Sequence, residues 1–313
     1  AQFQQVVPRP IPWGFTPQVI PMKHALLTGV NGFAASHLVE LLLKEGWKVS
    51  GTKRVRSKLD NIEHIVEDID IYLCELTDAF AVREIVKKVQ PDVVFHLAAQ
   101  SFVPLSWKAP HLTFETNVQG TINVLEACRE LEKPPIIHIS SSSQGYGNAE
   151  LPFSRDTLLD PQNPYDVSKL AQEMIAKVYW KSYGLRIRLT RAFNITGPRR
   201  QEFMADSSFA RQVALCEAGK QKEIVVGNLK ATRDFVDIRD VVEGYLKVVQ
   251  EGEDGKVYLL CSGVERSMQE VLDTLIGLST VKPKVVIDPN LLRPSDTMRM
   301  RGNVNDWPEG WEP

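Results

Sequence analysis

Cysteine is scarce in this sequence, and its four copies stand far apart. Cys74, Cys128, Cys216 and Cys261 form no C-x-x-C pair. Each lies in an apolar or helix-like run, so we expect buried free thiols in a reducing compartment and hence a cytoplasmic protein. The six histidines are scattered, with no H-x-x-H or H-E-x-x-H pattern. We therefore predict no metal site.

The sequence also lacks an excess of charge of one sign and any long apolar run. With 37 Lys and Arg against 39 Asp and Glu, the formal net charge is −2. No overall field attracts nucleic acid or an anionic membrane. No apolar run approaches the roughly 18–20 residues that span a bilayer. Nucleic acid and membranes are therefore not expected partners.

The ends of the sequence carry little regular pattern. Residues 1–22 contain five prolines and neither a helical period nor a signal-peptide pattern, so we expect an extended, proline-rich N-terminal arm. The sequence opens on Ala1 and closes in Trp311-Glu-Pro without a final helix. We expect it to be part of a longer chain.

Strands and helices alternate through the first two thirds of the sequence. This alternation predicts βαβ units, hence an α/β fold with a doubly wound, parallel Rossmann sheet covered on both faces. The predicted helices cover 36–46, 78–90, 114–131 and 164–184. The predicted strands cover 24–29, 47–52, 68–76, 92–99, 135–141 and 185–193.

The rhythm changes after residue 194. The following segments are loop-like and basic before shorter helices and strands resume. We predict a larger Rossmann domain at 23–194 together with about 234–252. A smaller, interleaved C-terminal lobe is predicted at 195–233 and 253–313.

The first strand runs into the glycine-rich segment T-G-V-N-G-F-A-A at 28–35, and a helix follows. Gly29 permits a tight turn, and Gly32 lets the backbone approach a pyrophosphate at the helix N-terminus. The alternative is a purely structural turn, but the strand–turn–helix context favours a dinucleotide site. The predicted contacts are Gly29, Asn31, Gly32, Phe33 and Ala34.

The second strand ends in K-R-V-R at 53–56, where NAD-specific sites place an acidic residue for the ribose 2′-hydroxyl. Lys53, Arg54 or Arg56 could pair with a 2′-phosphate instead. The alternative is a solvated basic turn. We predict NADP(H) as cofactor rather than NAD(H).

Tyr165 and Lys169 stand four residues apart, so they share one helix face. An ammonium group and an oxidised nicotinamide favour the phenolate and lower the Tyr pKa. A serine from the neighbouring strand, which ends in S-S-S-S at 140–143, can bind the same substrate oxygen. This arrangement predicts acid–base catalysis of hydride transfer to or from an alcohol.

Together these motifs resemble the extended short-chain dehydrogenases/reductases that act on nucleotide sugars. The resemblance covers roughly 24–303 and rests on TGVNGFAASHL, FHLAAQS, TNVQGTINVLEA, SSSSQGYG, PYDVSKL, RAFNITGP, RDFVDIRD and LRPSD. It implies that Ser142 is the catalytic hydroxyl, Tyr165 the base and Lys169 its partner. It also implies a cofactor wall formed by Leu97, Ala98, Ala99 and Gln100. In addition, it implies that Asn117 supports the region around the catalytic lysine.

The second half most resembles the branch of GDP-mannose 4,6-dehydratases and GDP-4-keto-6-deoxymannose reductases, through GPRRQEF, VGNLKATRDF and LRPSDTMRMRG. The resemblance implies a GDP-linked sugar whose diphosphate is held by Asn194. It also implies a homodimer or higher homo-oligomer built on helices 114–131 and 164–180. Arginines suited to the diphosphate and ribose, each of which could instead be a surface ion pair, are Arg200, Arg233 and Arg293.

One position departs from the dehydratases that this branch includes. They carry a Glu two residues before the Tyr of the Y-G pair, and here that position is Gln144. An amide cannot act as general acid or base, although it can bind a sugar hydroxyl. We therefore predict hydride transfer at C4 by a reductase or a related 4-epimerase, with the reductase first.

Two alternatives stay open. A GDP-mannose 4,6-dehydratase remains possible if Glu63, Glu150 or Asp166 supplies the acid. A non-catalytic NADP-binding scaffold or sensor is disfavoured, because both Tyr165 and Lys169 are present.

Overall fold

The computed structural model describes residues 24–291 and 297–313. The predicted arm at 1–22 and the predicted substrate residue Arg293 lie outside the described residues. The strands in chain order are β1 His24–Thr28, β2 Lys48–Lys53, β3 Asp70–Leu73, β4 Val93–His96, β5 Ile136–Ser142, β6 Arg186–Ala192, β7 Asn194–Thr196, β8 Glu223–Val226, β9 Thr232–Asp237, β10 Val257–Leu260, β11 Glu265–Ser267 and β12 Lys284–Ile287.

Helices alternate with these strands. A π-helical turn at Glu115–Gln119 joins two of them into the single long helix that the sequence predicts from residue 114. The helices are α1 Phe33–Lys44, α2 Ala79–Val89, α3 Val103–Lys108, α4 Pro110–Phe114, α5 Gly120–Arg129, α6 Pro164–Tyr183, α7 Ala205–Glu217, α8 Ile238–Glu251 and α9 Met268–Gly277.

Seven parallel strands form the large sheet in the order β10-β6-β5-β4-β1-β2-β3. The chain order reverses between β1 and β4, where Thr28 pairs in register with both Thr52 and His96. Ligands of open α/β sheets bind beyond the carboxyl ends of the strands at such a reversal. The predicted doubly wound Rossmann sheet is confirmed.

Local sequence explains the elements that carry the candidate site. The strand β4, V-V-F-H, is buried along its whole length, as expected of a strand covered by helices on both faces. At the start of α6, the Asn163 side chain accepts a hydrogen bond from the Asp166 N–H, and Pro164 occupies the first helical position. Gly184 ends this helix in the left-handed conformation, with φ of 70°.

Two smaller sheets, β11-β9-β7 and β12-β8, lie outside the large sheet. A separate small core forms where α7 and α9 pack near β8. The predicted domain boundaries stay a prediction, but β10 lies in a range given to the lobe and is instead an edge strand of the large sheet. The buried members of the small core are Phe209, Val213, Cys216, Ile224, Val226, Met268 and Leu272.

Some predicted boundaries differ from the structure. The strand predicted at 92–99 ends at His96, because the N–H groups of Leu97 and Ala98 both bond to the side-chain hydroxyl of Thr28 rather than to the backbone of a neighbouring strand. The strands β7, β9, β11 and β12 were not predicted. The four cysteines are buried and unpaired, as expected. In the described ranges, no helix has the length and apolarity of a membrane span.

Candidate active site

The glycine-rich turn has a shape that depends on both of its glycines. Gly29 has φ of +69°, and a Cβ there would lie 3.0 Å from the Cβ of Ala98. The N–H of Gly32 donates to the carbonyl of Gly29 at 2.8 Å, and a Cβ on Gly32 would meet that same oxygen at 3.0 Å. No side chain caps the first turn of α1, which starts at Phe33. This cradle fits a dinucleotide pyrophosphate, since close backbone approach and free N–H groups are what it requires.

Thr28 fixes the predicted cofactor wall beside this turn. Its buried hydroxyl oxygen accepts hydrogen bonds from the N–H groups of Leu97 and Ala98, both at 3.1 Å. The same hydroxyl bonds to Nδ1 of His96 at 2.9 Å. The sequence reasoning assigned no role to Thr28 or His96, although both lie within quoted motifs.

Asn117 joins the cofactor wall to the catalytic helix. It lies buried in the π-helical turn, where its Oδ1 accepts from the Gln100 N–H at 2.7 Å. Its Nδ2 donates to the Gln100 carbonyl at 3.1 Å and to the hydroxyl of Ser168 at 2.8 Å. Ser168 directly precedes Lys169. Asn117 thus lies beside the lysine region, while its supporting role, Ala99 and the other wall contacts with a cofactor stay predictions.

The basic turn after β2 lies next to the glycine-rich turn. The Asn31 side chain donates to the carbonyl of Lys58 at 2.7 Å and so links the two turns. Lys53 is half-buried at the strand end, whereas Arg54 and Arg56 are exposed. Across 24–291 and 297–313 these three cations make no ion pair with a carboxylate. They are therefore available to a phosphate.

The three predicted catalytic side chains lie on β5 and α6, which pack against each other. The Ser142 hydroxyl is near enough to Tyr165 to lower the pKa of the tyrosine. The N–H of Gln144 donates to the Ser142 oxygen at 3.2 Å. Lys169 lies one helical turn after Tyr165 and is buried. Their order in the sequence therefore corresponds to one compact group in space.

The electrostatics of this group favour a protonated tyrosine. Burial, with the nearby charge of Asp166, raises the Tyr165 pKa above its usual range, while the Ser142 hydroxyl and the charge of Arg200 oppose that rise. Burial lowers the pKa of Lys169 to about 8. At neutral pH, Tyr165 can therefore donate a proton to a substrate oxygen, and Lys169 can stabilise the phenolate that remains.

Gln144 lies on the turn beside Ser142. Its Nε2 donates to the sulfur of Met300 at 3.6 Å, which is a weak bond to a weak acceptor. Of the acids considered as replacements, Glu63 and Glu150 are exposed. Asp166 accepts hydrogen bonds from Gln162 N–H at 3.2 Å and Asn163 Nδ2 at 2.7 Å, so it serves the start of α6.

The predicted substrate residues are placed less compactly. Asn194 begins β7, and its buried Oδ1 has no hydrogen-bond partner among the described residues. Arg200 bonds to the carboxylate of Asp206 at 3.0 Å and lies 5.9 Å from the ring centroid of Phe33. Arg233 is buried in β9 and donates to the carbonyl of Thr232 at 2.7 Å. Arg200 thus lies near both Tyr165 and the nucleotide turn, a proximity that no sequence motif indicated.

The sequence matches the family model described as GDP-mannose 4,6 dehydratase over residues 26–313. It is 35% identical over 230 residues to the GDP-6-deoxy-D-mannose reductase of Pseudomonas aeruginosa, covering 71% of this chain and 75% of that protein. It is 34% identical over 264 residues to a GDP-mannose 4,6-dehydratase of Vibrio cholerae, covering 80% and 70%.

Solved structures show the same similarity. The structure of RMD from Pseudomonas aeruginosa, complexed with NADPH, superposes with a TM-score of 0.79 and 30% identity, covering 93% of each chain. The UDP-glucose 4-epimerase of Thermus thermophilus, in complex with NAD, gives a TM-score of 0.83 and 29% identity, covering 93% of this chain and 94% of that one. With the assembled Ser142, Tyr165 and Lys169, these matches confirm the predicted class of enzyme. This chain is an NAD(P)-dependent nucleotide-sugar enzyme that belongs to the GDP-mannose 4,6-dehydratase family of extended short-chain dehydrogenases/reductases.

Proposed function

We propose that this enzyme reduces the C4 keto group of GDP-4-keto-6-deoxymannose with NADPH. The observation that carries the proposal is Gln144, which stands where a dehydratase of this branch needs a proton-exchanging acid. Bound NADPH would supply a hydride, and the residues that would hold it are Gly29, Gly32 and the basic turn. Everything a ketone then needs from the protein is one proton and a fixed orientation.

Tyr165 supplies the proton in this proposal. Its burial keeps the hydroxyl protonated near neutral pH, so it can act as a general acid toward the C4 oxygen. Ser142 binds the same oxygen, since its hydroxyl lies near enough to Tyr165 to affect the pKa of the tyrosine. Lys169 stabilises the phenolate left after proton transfer, because a cation nearby favours the charged form.

The positions of the acids argue against dehydration. Elimination across C5–C6 must remove the C5 proton and protonate the departing hydroxyl, and an amide can do neither. Glu63 and Glu150 are exposed, and Asp166 is engaged at the start of α6.

The preference for NADPH is assigned to the basic turn at 53–56. An arginine bonded to a 2′-phosphate contributes about 1.5–3 kcal/mol, so Arg54→Ala should weaken NADPH binding by roughly 10–100-fold. NADH binding should stay within about twofold, since it has no 2′-phosphate. Cofactor titration by fluorescence measures both. Equal weakening for the two cofactors would count against this assignment.

The remaining proposals concern the substrate residues, the assembly and the compartment. Asn194, Arg200, Arg233 and Arg293 are assigned to the nucleotide diphosphate and ribose, with the substrate lobe as predicted. A homodimer is supported by exposed apolar side chains on one face of α6, namely Val167, Met174 and Val178. The buried free cysteines support a reducing compartment, and hence the cytoplasm.

Two parallel incubations test the reaction. One contains NADPH with GDP-4-keto-6-deoxymannose, and the other NADP⁺ with GDP-mannose. We expect NADPH absorbance to fall in the first, with a product two hydrogens heavier, and no change in the second. Tyr165→Phe enzyme is the matched control.

The other functions give different results in the same assay. Loss of water from GDP-mannose without net cofactor change would establish the dehydratase. A change of configuration without net cofactor use would favour a 4-epimerase, the named activity of the Thermus thermophilus protein. Silence in every arm, with NADPH still bound, would favour a scaffold.

A further inference from the structure

A buried ion pair lies directly behind the catalytic group. Arg191 on β6 and Glu173 on α6 have side chains that are only 3% and 2% exposed. Arg191 Nε donates to Glu173 Oε2 at 2.9 Å, and Nη2 donates to Oε1 at 2.7 Å. Arg191 pairs in register with Ser141, the neighbour of Ser142, and Glu173 lies one turn after Lys169. The pair therefore connects the strand and helix on which the catalytic residues stand.

Stability alone is a poor explanation for this pair. Removing two charges from water is expensive, and well-packed apolar side chains of similar size are often as stabilising. A fixed bidentate geometry, in contrast, is something that apolar packing does not provide. The remaining N–H groups of Arg191 form further hydrogen bonds that depend on this fixed geometry.

Arg191 holds Tyr146 in place. Its Nη1 donates to the Tyr146 hydroxyl oxygen at 2.7 Å and to the carbonyl of Arg155 at 3.1 Å. The Tyr146 side chain is fully buried, with its ring stacked on Phe153 at a centroid distance of 4.8 Å. Tyr146 is therefore fixed by a charged group on one side and by an aromatic ring on another.

Tyr146 ends the short helical turn Ser143–Tyr146, which directly follows Ser142. Within this turn, the Gln144 N–H donates to the Ser142 oxygen at 3.2 Å. Gly145 packs so closely on α6 that a Cβ would lie 2.7 Å from Cδ2 of Leu170, the neighbour of Lys169. The turn is thus held at Tyr146 by Arg191 and at Gly145 by the catalytic helix.

We propose that Tyr146, anchored by the Arg191–Glu173 ion pair, is a positioning residue that sets the Ser142 hydroxyl against Tyr165. An oxygen that accepts the Gln144 N–H has its own proton left to direct at Tyr165 or at the substrate oxygen. The kinetic part of this inference rests on the proposed reductase function. Its structural part does not.

Tyr146→Phe tests the proposal, with Tyr179→Phe as matched control. Tyr179 is a second buried tyrosine with a charged hydrogen-bond partner; its hydroxyl donates to the Glu126 carboxylate, whereas that of Tyr146 accepts from Arg191. We expect Tyr146→Phe to lower kcat about 10–100-fold, as small displacements of reacting groups do. The KM for NADPH should change less than about twofold, because the nucleotide turn is untouched. Tyr179→Phe should leave both constants near those of the wild type.

Hydrogen exchange of the peptide covering 143–147, followed by mass spectrometry without substrate, is the second measurement. We expect this peptide to exchange faster in Tyr146→Phe than in the wild type, and at the wild-type rate in Tyr179→Phe. Arg191→Lys, which keeps the charge but loses the fork, should reproduce the effect if it folds.

Two results would overturn the proposal: a kcat for Tyr146→Phe within about twofold of the wild type, or exchange that rises over the whole chain rather than in the turn. If the wild type reduces no keto sugar but the exchange difference is confined to 143–147, the reductase assignment fails and the positioning of the turn stands.

Discussion

The reaction side and the substrate side of this site lie on different elements of the fold. The reaction side, Ser142, Tyr165 and Lys169, stands on β5 and α6, which pack in the core of the large sheet. The proposed substrate side, Asn194, Arg200 and Arg233, stands on short strands and a loop, and Arg200 pairs with Asp206 on α7, a helix of the small core of seven buried residues. Proton transfer requires geometry held to fractions of an ångström, and elements of a large core provide it. Substrate recognition tolerates a less rigid support.

The two sides also treat charge differently. Lys169 is buried, and no carboxylate within 24–291 or 297–313 pairs with it, so its pKa falls to about 8. Arg200 is paired with Asp206 at 3.0 Å. An unpaired buried cation raises the free energy of the folded state, which is typical of groups retained for chemistry. Asp206 offsets part of the cost of burying Arg200, although burial still lowers the pKa of this arginine.

The largest effect should come from the reaction side. Tyr165→Phe removes the only proposed proton donor, and we expect kcat to fall by about 10³-fold, within the range for general acid catalysis. NADPH affinity should not change, because the nucleotide turn lies on other elements. Steady-state kinetics and fluorescence titration measure the two quantities.

Tyr245→Phe is the control for this variant. Tyr245 is a buried tyrosine whose hydroxyl bonds at 2.9 Å to that of Ser140, which lies on β5, the strand that carries Ser142. A comparable loss of kcat in both variants would mean that disturbance of β5, rather than the missing proton donor, lowers the rate.

The next prediction compares the same Leu→Ala change in the large core and in the small core. Leu189 on β6 and Leu272 on α9 are both fully buried, the first in the large core and the second in the small one. Each Leu→Ala change should lower the free energy of unfolding by about 3 kcal/mol. We expect Leu272→Ala to raise the KM for the sugar nucleotide and spare NADPH binding, and Leu189→Ala to impair both. Chemical denaturation and kinetics test this, and identical kinetic profiles would show that the two sides are not separable.

The reaction side could be predicted from the sequence, whereas most of the substrate side could not. The spacing of Tyr165 and Lys169 on one helix and the serines at the end of a strand are local patterns, and parallel sheet topology brings them together. Arg200 approaches Tyr165 through a loop that no period describes. The link from Thr28 to Leu97 and Ala98 joins residues about 70 positions apart. Such contacts depend on the folded arrangement, so a single sequence does not contain them as a pattern.

A smaller effect concerns the charge of Lys169. The difference between its ordinary pKa of 10.5 and about 8 corresponds to at most ~3 kcal/mol. Below about pH 8 both folded and unfolded chains carry this proton, so the folded state bears the full penalty of the buried charge. Between pH 8 and 10.5 the folded chain loses the proton first, and the penalty disappears.

Lys169→Met should therefore be more stable than the wild type at pH 7, by about 2 kcal/mol, with the advantage declining above pH 8. Urea denaturation at several pH values measures it. A difference that does not depend on pH would show that Lys169 is stabilised by a partner in the folded state.

The smallest effect should come from Gln144, which lies between the two sides. Its amide bonds only weakly to Met300, so it is available to a sugar hydroxyl. A lost neutral hydrogen bond is worth about 0.5–1.5 kcal/mol, so Gln144→Ala should raise the KM for the sugar nucleotide by roughly 2–10-fold. The kcat should change little, because a binding residue acts in ground and transition states alike. A fall in kcat close to that of Tyr165→Phe would instead mean that Gln144 takes part in proton transfer. Gln144 would then belong to the reaction side rather than to the substrate side.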